Sequence, residues 1–224
     1  MGSGRLMFKN DYMKEMENSL DLIKEEVNKN LINEEIKKAK IAVNTQLKNL
    51  VGLDINAIDT LSFNSVREII SKDASYNLGK YIALGELLQL QGKICLKDND
   101  ESMMLNYYLK SLESFYEIYD EEEINNDKYI KDIECLINDL REYDIPIESD
   151  MQIFKFYELM NKLDKAEDML FYIIDKSNND KSNIEMGLEF YNKLKQRSEE
   201  ELIKGNLPLE EVEDSYLELS KKLK

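Results

Sequence analysis

Along most of this chain apolar residues return at alternating steps of three and four, the spacing that places them on one face of an α-helix. The first stripe is Met13, Met16, Leu20, Ile23 and Val27, preceded by Asn10 and Asp11, either of which suits an N-cap. A second, Ile36, Ala39, Val43, Leu47 and Leu50, stops at Gly52. Between Leu53 and Asp73 the pattern breaks into an irregular turn, a helical turn and a short helix around Val66 to Ile70. That break predicts a boundary between an amino-terminal helical segment, residues 7–73, and a longer helical part, residues 74–224.

From Ala74 the elements lengthen. Tyr81, Leu84, Leu88 and Cys95 line one face of a helix and Leu87, Leu90 and Ile94 another, so this helix should be covered on two sides. The turn Lys97-Asp98-Asn99-Asp100 leads to two adjacent stripes, Leu105, Leu109, Leu112, Tyr116, Tyr119 and Met104, Tyr108, Ser111, Phe115, Ile118. EEEINN separates these from Tyr129, Ile133, Leu136, Leu140 and Tyr143, and Asp144-Ile145-Pro146 ends that helix because the residue before proline avoids helical angles. Ser149 suits the cap of a helix carrying Ile153, Phe156, Tyr157 and Met160; NKLD turns the chain, and Ala166, Leu170 and Ile173 carry the return. SNNDKSN leads into Ile184, Gly187, Phe190, Tyr191 and Leu194, and KGNLP into a last helix with Pro208 in its first turn, then Leu209, Val212, Tyr216, Leu219 and Leu223. The pattern predicts about eight or nine helices, mostly joined as hairpins. Two prolines and eight glycines supply too little turn chemistry for a β-sandwich or a glycine-rich nucleotide fold, which leaves an all-α protein. At 224 residues and 42% hydrophobic the chain can build a substantial core, in one large domain or two small ones.

Small residues fall at positions that suggest a repeat. A tetratricopeptide unit has a large aromatic, Leu-Gly three and four places on, an aromatic three beyond, and small residues where its two helices cross. Each omitted side chain there lets helix axes approach to roughly 8–10 Å. In YIALGELLQLQG, Tyr81, Leu84, Gly85, Leu88 and Gly92 match the first helix, whereas Lys97 sits where the second helix needs a small residue. Tyr157 with Ala166, Leu170 and Ile173 matches the complementary half, with Phe154 in place of the glycine. GLEFYNKLK followed by Val212, Tyr216 and Leu219 looks like a third, more divergent hairpin. The alternative is an ordinary helical bundle with accidental matches. As a whole the sequence resembles an uncharacterised bacterial family, a domain of unknown function with tetratricopeptide-like helices, in the start FKNDY, the motif DKAEDMLFYII and the tail FYNKLKQRSEEELIKGNLPLEEVEDSY. The resemblance implies helical hairpins stacked as such an array, and a cytoplasmic location; it brings no activity and no catalytic positions. MGSGRL, residues 1–6, reads as an added remnant ahead of a natural start at Met7.

Charge narrows the partners. The net −16 is uneven: residues 7–75 carry 10 Lys/Arg against 12 Asp/Glu, residues 76–224 carry 19 against 34. An acidic carboxyl-terminal part repels polyphosphate, so nucleic acid is not an expected partner. Lys37, Lys38, Lys40 and Lys48 form one basic exception, more simply read as the solvated side of an amphipathic helix. No stretch approaches the roughly 18 uninterrupted apolar residues of a membrane span, and no basic-then-apolar leader opens the chain, so no membrane partner is expected and the cytoplasm is the default location. Cys95 and Cys135 stand alone inside apolar patterns and are expected to be buried, reduced thiols.

Candidate chemistry is scarce. With no histidine, Ser-His-Asp and Cys-His catalysis, Cys₂His₂ zinc and Glu-x-x-His di-iron sites are excluded. Gly85 and Gly92-Lys93 are spaced wrongly for a phosphate loop, and Asp98 to Glu101 lacks the glycine and distal glutamate of a calcium loop. The runs Glu121-Glu122-Glu123 and Glu199-Glu200-Glu201 read as solvated faces. No cofactor and no metal are expected, and the protein is not expected to be an enzyme. The leading expectation is a protein- or peptide-binding adaptor or scaffold with Glu86, Gln89, Lys155 and Glu158 facing its groove. The alternative is a self-associating structural protein without a groove ligand, a homodimer pairing through its amino-terminal helices.

Overall fold

The computed structural model describes the backbone of residues 3–72, 77–121, 124 and 127–223, and side chains from Tyr12 onward. Ala74, Glu122, Glu123 and the Asn-Asn of EEEINN lie outside the described residues. Among those described there are twelve α-helices and no strand, so the fold is all-α. The helices form two compact units, residues 1–124 with 131–142, and residues 125–130 with 143–224.

The first unit contains α1 (Ser3–Ile32), α2 (Ile36–Gln46), a π-helical turn (Leu47–Val51), α3 (Ile55–Thr60), α4 (Phe63–Ser71), α5 (Asn77–Lys97), α6 (Glu101–Tyr116) and all but the first turn of α7 (Asp127–Leu140). No glycine or proline interrupts residues 5–51, and α1 runs straight through Asn10 and Asp11, so neither is its cap. Met16, Leu20, Ile23 and Val27 are buried, as their stripe requires. The second stripe winds from α2 into the π-helical turn and stops at Gly52, whose φ of 84° is left-handed and whose missing Cβ has nothing within 4 Å. Conformation is therefore the reason for glycine there. Asp54 and Ser62 cap α3 and α4, accepting from the backbone N–H of Ala57 and Ser65.

Every residue from Tyr81 to Gly92 is buried, because α1, α2, the π-helical turn, α4 and α6 all pack on α5. The inner-helix expectation holds. The helices before residue 74 share a core with α5, and the chain divides between residues 124 and 143, not at residue 74. The approach of α6 is set by missing bulk. A Cβ on Gly85 would stand 2.7–2.9 Å from the Phe115 ring, and one on Gly92 would overlap Tyr108. Ser111 Oγ donates to the Gly85 carbonyl at 2.6 Å, pinning the crossing.

The second unit contains α8 (Ile147–Leu159), α9 (Leu163–Lys176), α10 (Lys181–Leu194), α11 (Glu199–Lys204) and α12 (Leu209–Lys222). α8 packs on α9, and α10 on both α9 and α12. α8 opens directly behind Pro146, which takes the N-cap position, so Ser149 is a buried residue of the first turn and not the cap. Ala166 is fully buried. The short α11 is unexpected; Ser198 and Glu201 close a reciprocal capping box at its start. It ends at Gly205, whose carbonyl accepts the Leu163 and Asp164 N–H groups at 3.0 and 3.2 Å and so caps the start of α9, which has no side-chain cap. Three short helices, α3, α4 and α11, account for much of the excess over the expected number.

Reversal at the hairpins uses asparagine where glycine is usual. Of six non-glycine residues with positive φ among the described residues, Asn99, Asn161, Asn178, Asn179 and Asn206 are asparagines and the sixth is Glu34, all between 52° and 59°. A short amide side chain tolerates this region better than other residues. Cys95 is buried but Cys135 is exposed, one position before the buried pair Leu136 and Ile137 and a quarter-turn off their face, which corrects the expectation of two buried thiols.

Candidate functional site

The four residues expected to face a groove take up different positions. Glu86 and Gln89 lie on α5, where α1 and α7 cover the polar side of an otherwise apolar helix. Glu86 has no exposed surface, and its Oε2 lies 3.0 Å from Lys24 Nζ of α1. Lys24 also donates to Asp132 Oδ2 of α7 at 2.8 Å, while Gln89 Nε2 donates to the Asp132 carbonyl at 2.9 Å. Burial alone would pull Lys24 down, but the Glu86 and Asp132 carboxylates outweigh it and hold the ammonium above its ordinary value. This is an internal charge cluster joining α1, α5 and α7, with neither Glu86 nor Gln89 turned to solvent.

Lys155 and Glu158, on α8 of the second unit, pair with each other at 2.7 Å, and the Lys155 ammonium lies 4.9 Å from the centre of the Phe154 ring. Both are half-buried.

Several other buried titratable groups are likewise closed by protein partners. Tyr191 Oη of α10 donates to Glu167 Oε1 of α9 at 2.7 Å; burial pushes the Glu167 carboxyl up, partly offset by bonds from Tyr191 and Ser215. Lys176 Nζ ties the α7–α8 connection to α9 through Asp144 Oδ1 at 2.8 Å, Asp150 Oδ2 at 2.9 Å and the Ile145 carbonyl. In the first unit Tyr107 Oη donates to Asp59 Oδ1 at 2.8 Å, and Lys110 Nζ to the Ile58 carbonyl. These arrangements can hold helices in register. None presents a nucleophile beside a base at an open surface, and among the described residues no group of three or more His, Cys, Asp or Glu is placed to hold a metal.

The basic run of α2 is largely matched. Lys38 pairs with Glu35 at 2.5 Å, Lys40 with Asp98 at 2.6 Å and Lys48 with Asp54 at 3.3 Å, as suits a solvated helix face. Asp100 caps α6 by accepting the Met103 N–H, so the acidic turn at residues 98–101 is a helix connection.

An open feature does exist between α1 and α2: a groove of about 330 Å³, lined by Ile23 and Glu26 on one side and Lys38, Ile41, Ala42 and Thr45 on the other. Its lining mixes apolar Ile23, Ile41 and Ala42 with polar Thr45 and Gln46, its rim carries one carboxylate and one ammonium, and Ile41 is 65% exposed. Sequence reasoning placed the groove elsewhere because the tetratricopeptide alignment starts at Tyr81. The available signal was Ile41, an apolar residue two positions off the core face that runs through Ala39 and Val43.

A family model described as a family of unknown function, DUF6483, matches residues 7–224. No curated protein and no solved structure matches the chain.

Proposed function

Given that the chain belongs to this family of unknown function, we propose that it is a non-enzymatic binding module of tetratricopeptide-like helical hairpins, which receives an apolar protein segment in the α1–α2 groove. The observation that carries this reading is the groove itself: an exposed isoleucine, Ile41, beside Ile23, Ala42 and charges of both signs, in a molecule several of whose buried titratable groups are engaged with one another. Close crossings at glycine, such as Gly85 against Phe115 and Gly187 against Leu219 and Leu170, support the hairpin reading. Two unbridged cysteines suit a reducing compartment, the cytoplasm. Apolar grooves between helices accept amphipathic segments through a few anchoring side chains.

The test is site-specific photo-crosslinking in cells, with a benzophenone side chain at Ile41 and, as control, at exposed Lys181. The expected result is a discrete protein adduct from position 41 and none from 181. Absence of any adduct at 41, or equal labelling at both positions, refutes the binding reading.

A further inference from the structure

We infer that the partner seated in the α1–α2 groove is the α1–α2 groove of a second copy of this chain. The inference rests on the binding reading above and names its partner. Charge selects that partner. Residues 21–40, which span the end of α1, the turn and the start of α2, hold five Asp/Glu and five Lys, of which Lys24 faces inward to Glu86 and Asp132; four outward Lys against five Asp/Glu leave this face only one charge negative, while the remainder of the chain carries −16. Two such molecules repel over most of their surfaces, and with a screening length of about 8 Å at physiological salt a nearly neutral face is where they can meet.

The order of charges within the face is self-complementary. On the α1 side the groove is walled by Glu26, on the α2 side by Lys38. A two-fold axis that lays α1 of one copy along α2 of the other sets Glu26 against the partner's Lys38 and Lys38 against the partner's Glu26. The present partner of Lys38 is Glu35, three residues away in an exposed pair, and exchanging such a contact costs little. Apolar anchors accompany the charges: Ile41 in the groove and Leu22, one turn before Glu26 on α1, are 65% and 68% exposed. A uniformly acidic or basic partner would satisfy one of the two rim charges and oppose the other.

Sedimentation equilibrium of the full-length chain tests this with charge exchange, far-UV circular dichroism confirming that each variant is folded. Wild type is expected to dimerise. Glu26→Lys alone places lysine against lysine twice, and Lys38→Glu alone places glutamate against glutamate twice; each is expected to weaken the dimer roughly ten- to thirtyfold. The double variant restores both pairs and the wild-type association, and an equimolar mixture of the two single variants forms the heterodimer. A monomeric wild type overturns the inference, as does a dimer indifferent to the single exchanges or one that the double exchange fails to restore. The photo-crosslink at Ile41 separates the two readings: an adduct with a different protein sinks the second copy and leaves the binding module standing, whereas no adduct sinks both.

Discussion

Replacing Gly85 with alanine sets two effects of known sign against each other. In a helix interior, Gly→Ala gains about 1 kcal/mol through backbone entropy. At this position the new Cβ would lie 2.7 Å from Phe115 Cζ, 2.8 Å from Cε2 and 2.9 Å from Cε1, where carbon atoms prefer roughly 3.5–4.0 Å. The ring is fully buried, and the bond from Ser111 to the Gly85 carbonyl resists sliding of α6 along α5. Relief therefore needs about 0.8 Å of displacement in packed surroundings, and overpacking of this kind costs roughly 1–3 kcal/mol. The expected net effect is a loss of about 0–2 kcal/mol after the helix gain is subtracted. Phe115→Leu removes the opposing ring at a cost of its own, about 1–2 kcal/mol, and the double variant should lose at least ~1 kcal/mol less than the sum of the two single losses. Urea unfolding followed by circular dichroism reads all four species; if the two units unfold in separate transitions, only one should move. A Gly85→Ala protein more stable than wild type, with no coupling to position 115, refutes the claim that missing bulk sets this crossing.

Two further predictions concern the interior charges. Glu86→Gln should destabilise the first unit by about 1–3 kcal/mol, since Lys24 then keeps only Asp132 and a buried amide replaces a carboxylate; Lys24→Met with Glu86→Leu should recover most of that loss in the same unfolding assay, and an unperturbed Glu86→Gln would show the cluster to be energetically idle. Glu167 has its folded pKa raised by burial, so its protonated form favours folding: that contribution is complete below the ordinary glutamate value of 4.5 and is lost as pH rises through the higher folded value. The stability difference between Glu167→Gln and wild type should accordingly shift in favour of the variant from pH 4.5 upward, and a pH-independent difference would refute the assignment.

How much of this was legible in the sequence depended on distance along the chain. Apolar stripes report local faces, so Met16 to Val27, the doubly covered α5 and the Gly52 stop could be read directly. Gly85 and Gly92 were legible as crossings because a missing side chain inside an apolar helix has few other uses. The charge cluster around Glu86 was not, because Lys24 lies 62 positions before it and Asp132, the second carboxylate on Lys24, 46 positions after, and nothing local declares either contact of Lys24. A lone glutamate among residues 81–92 was nonetheless a signal: a carboxylate on an inner helix requires a cation, and a repeat alignment that placed it on a wet groove overlooked the amino-terminal helices that cover α5. Ser198-x-x-Glu201 likewise announced α11, but the adjoining glutamates read as a solvated run.

The interleaving of the two units has a consequence for a chain made from its amino terminus. Residues 131–142 complete the first unit, yet residues 125–130 already belong to the second. A nascent polypeptide cannot finish one body and then begin the next; α7 must emerge before the first can close, and by then the opening residues of its successor are outside the ribosome as well.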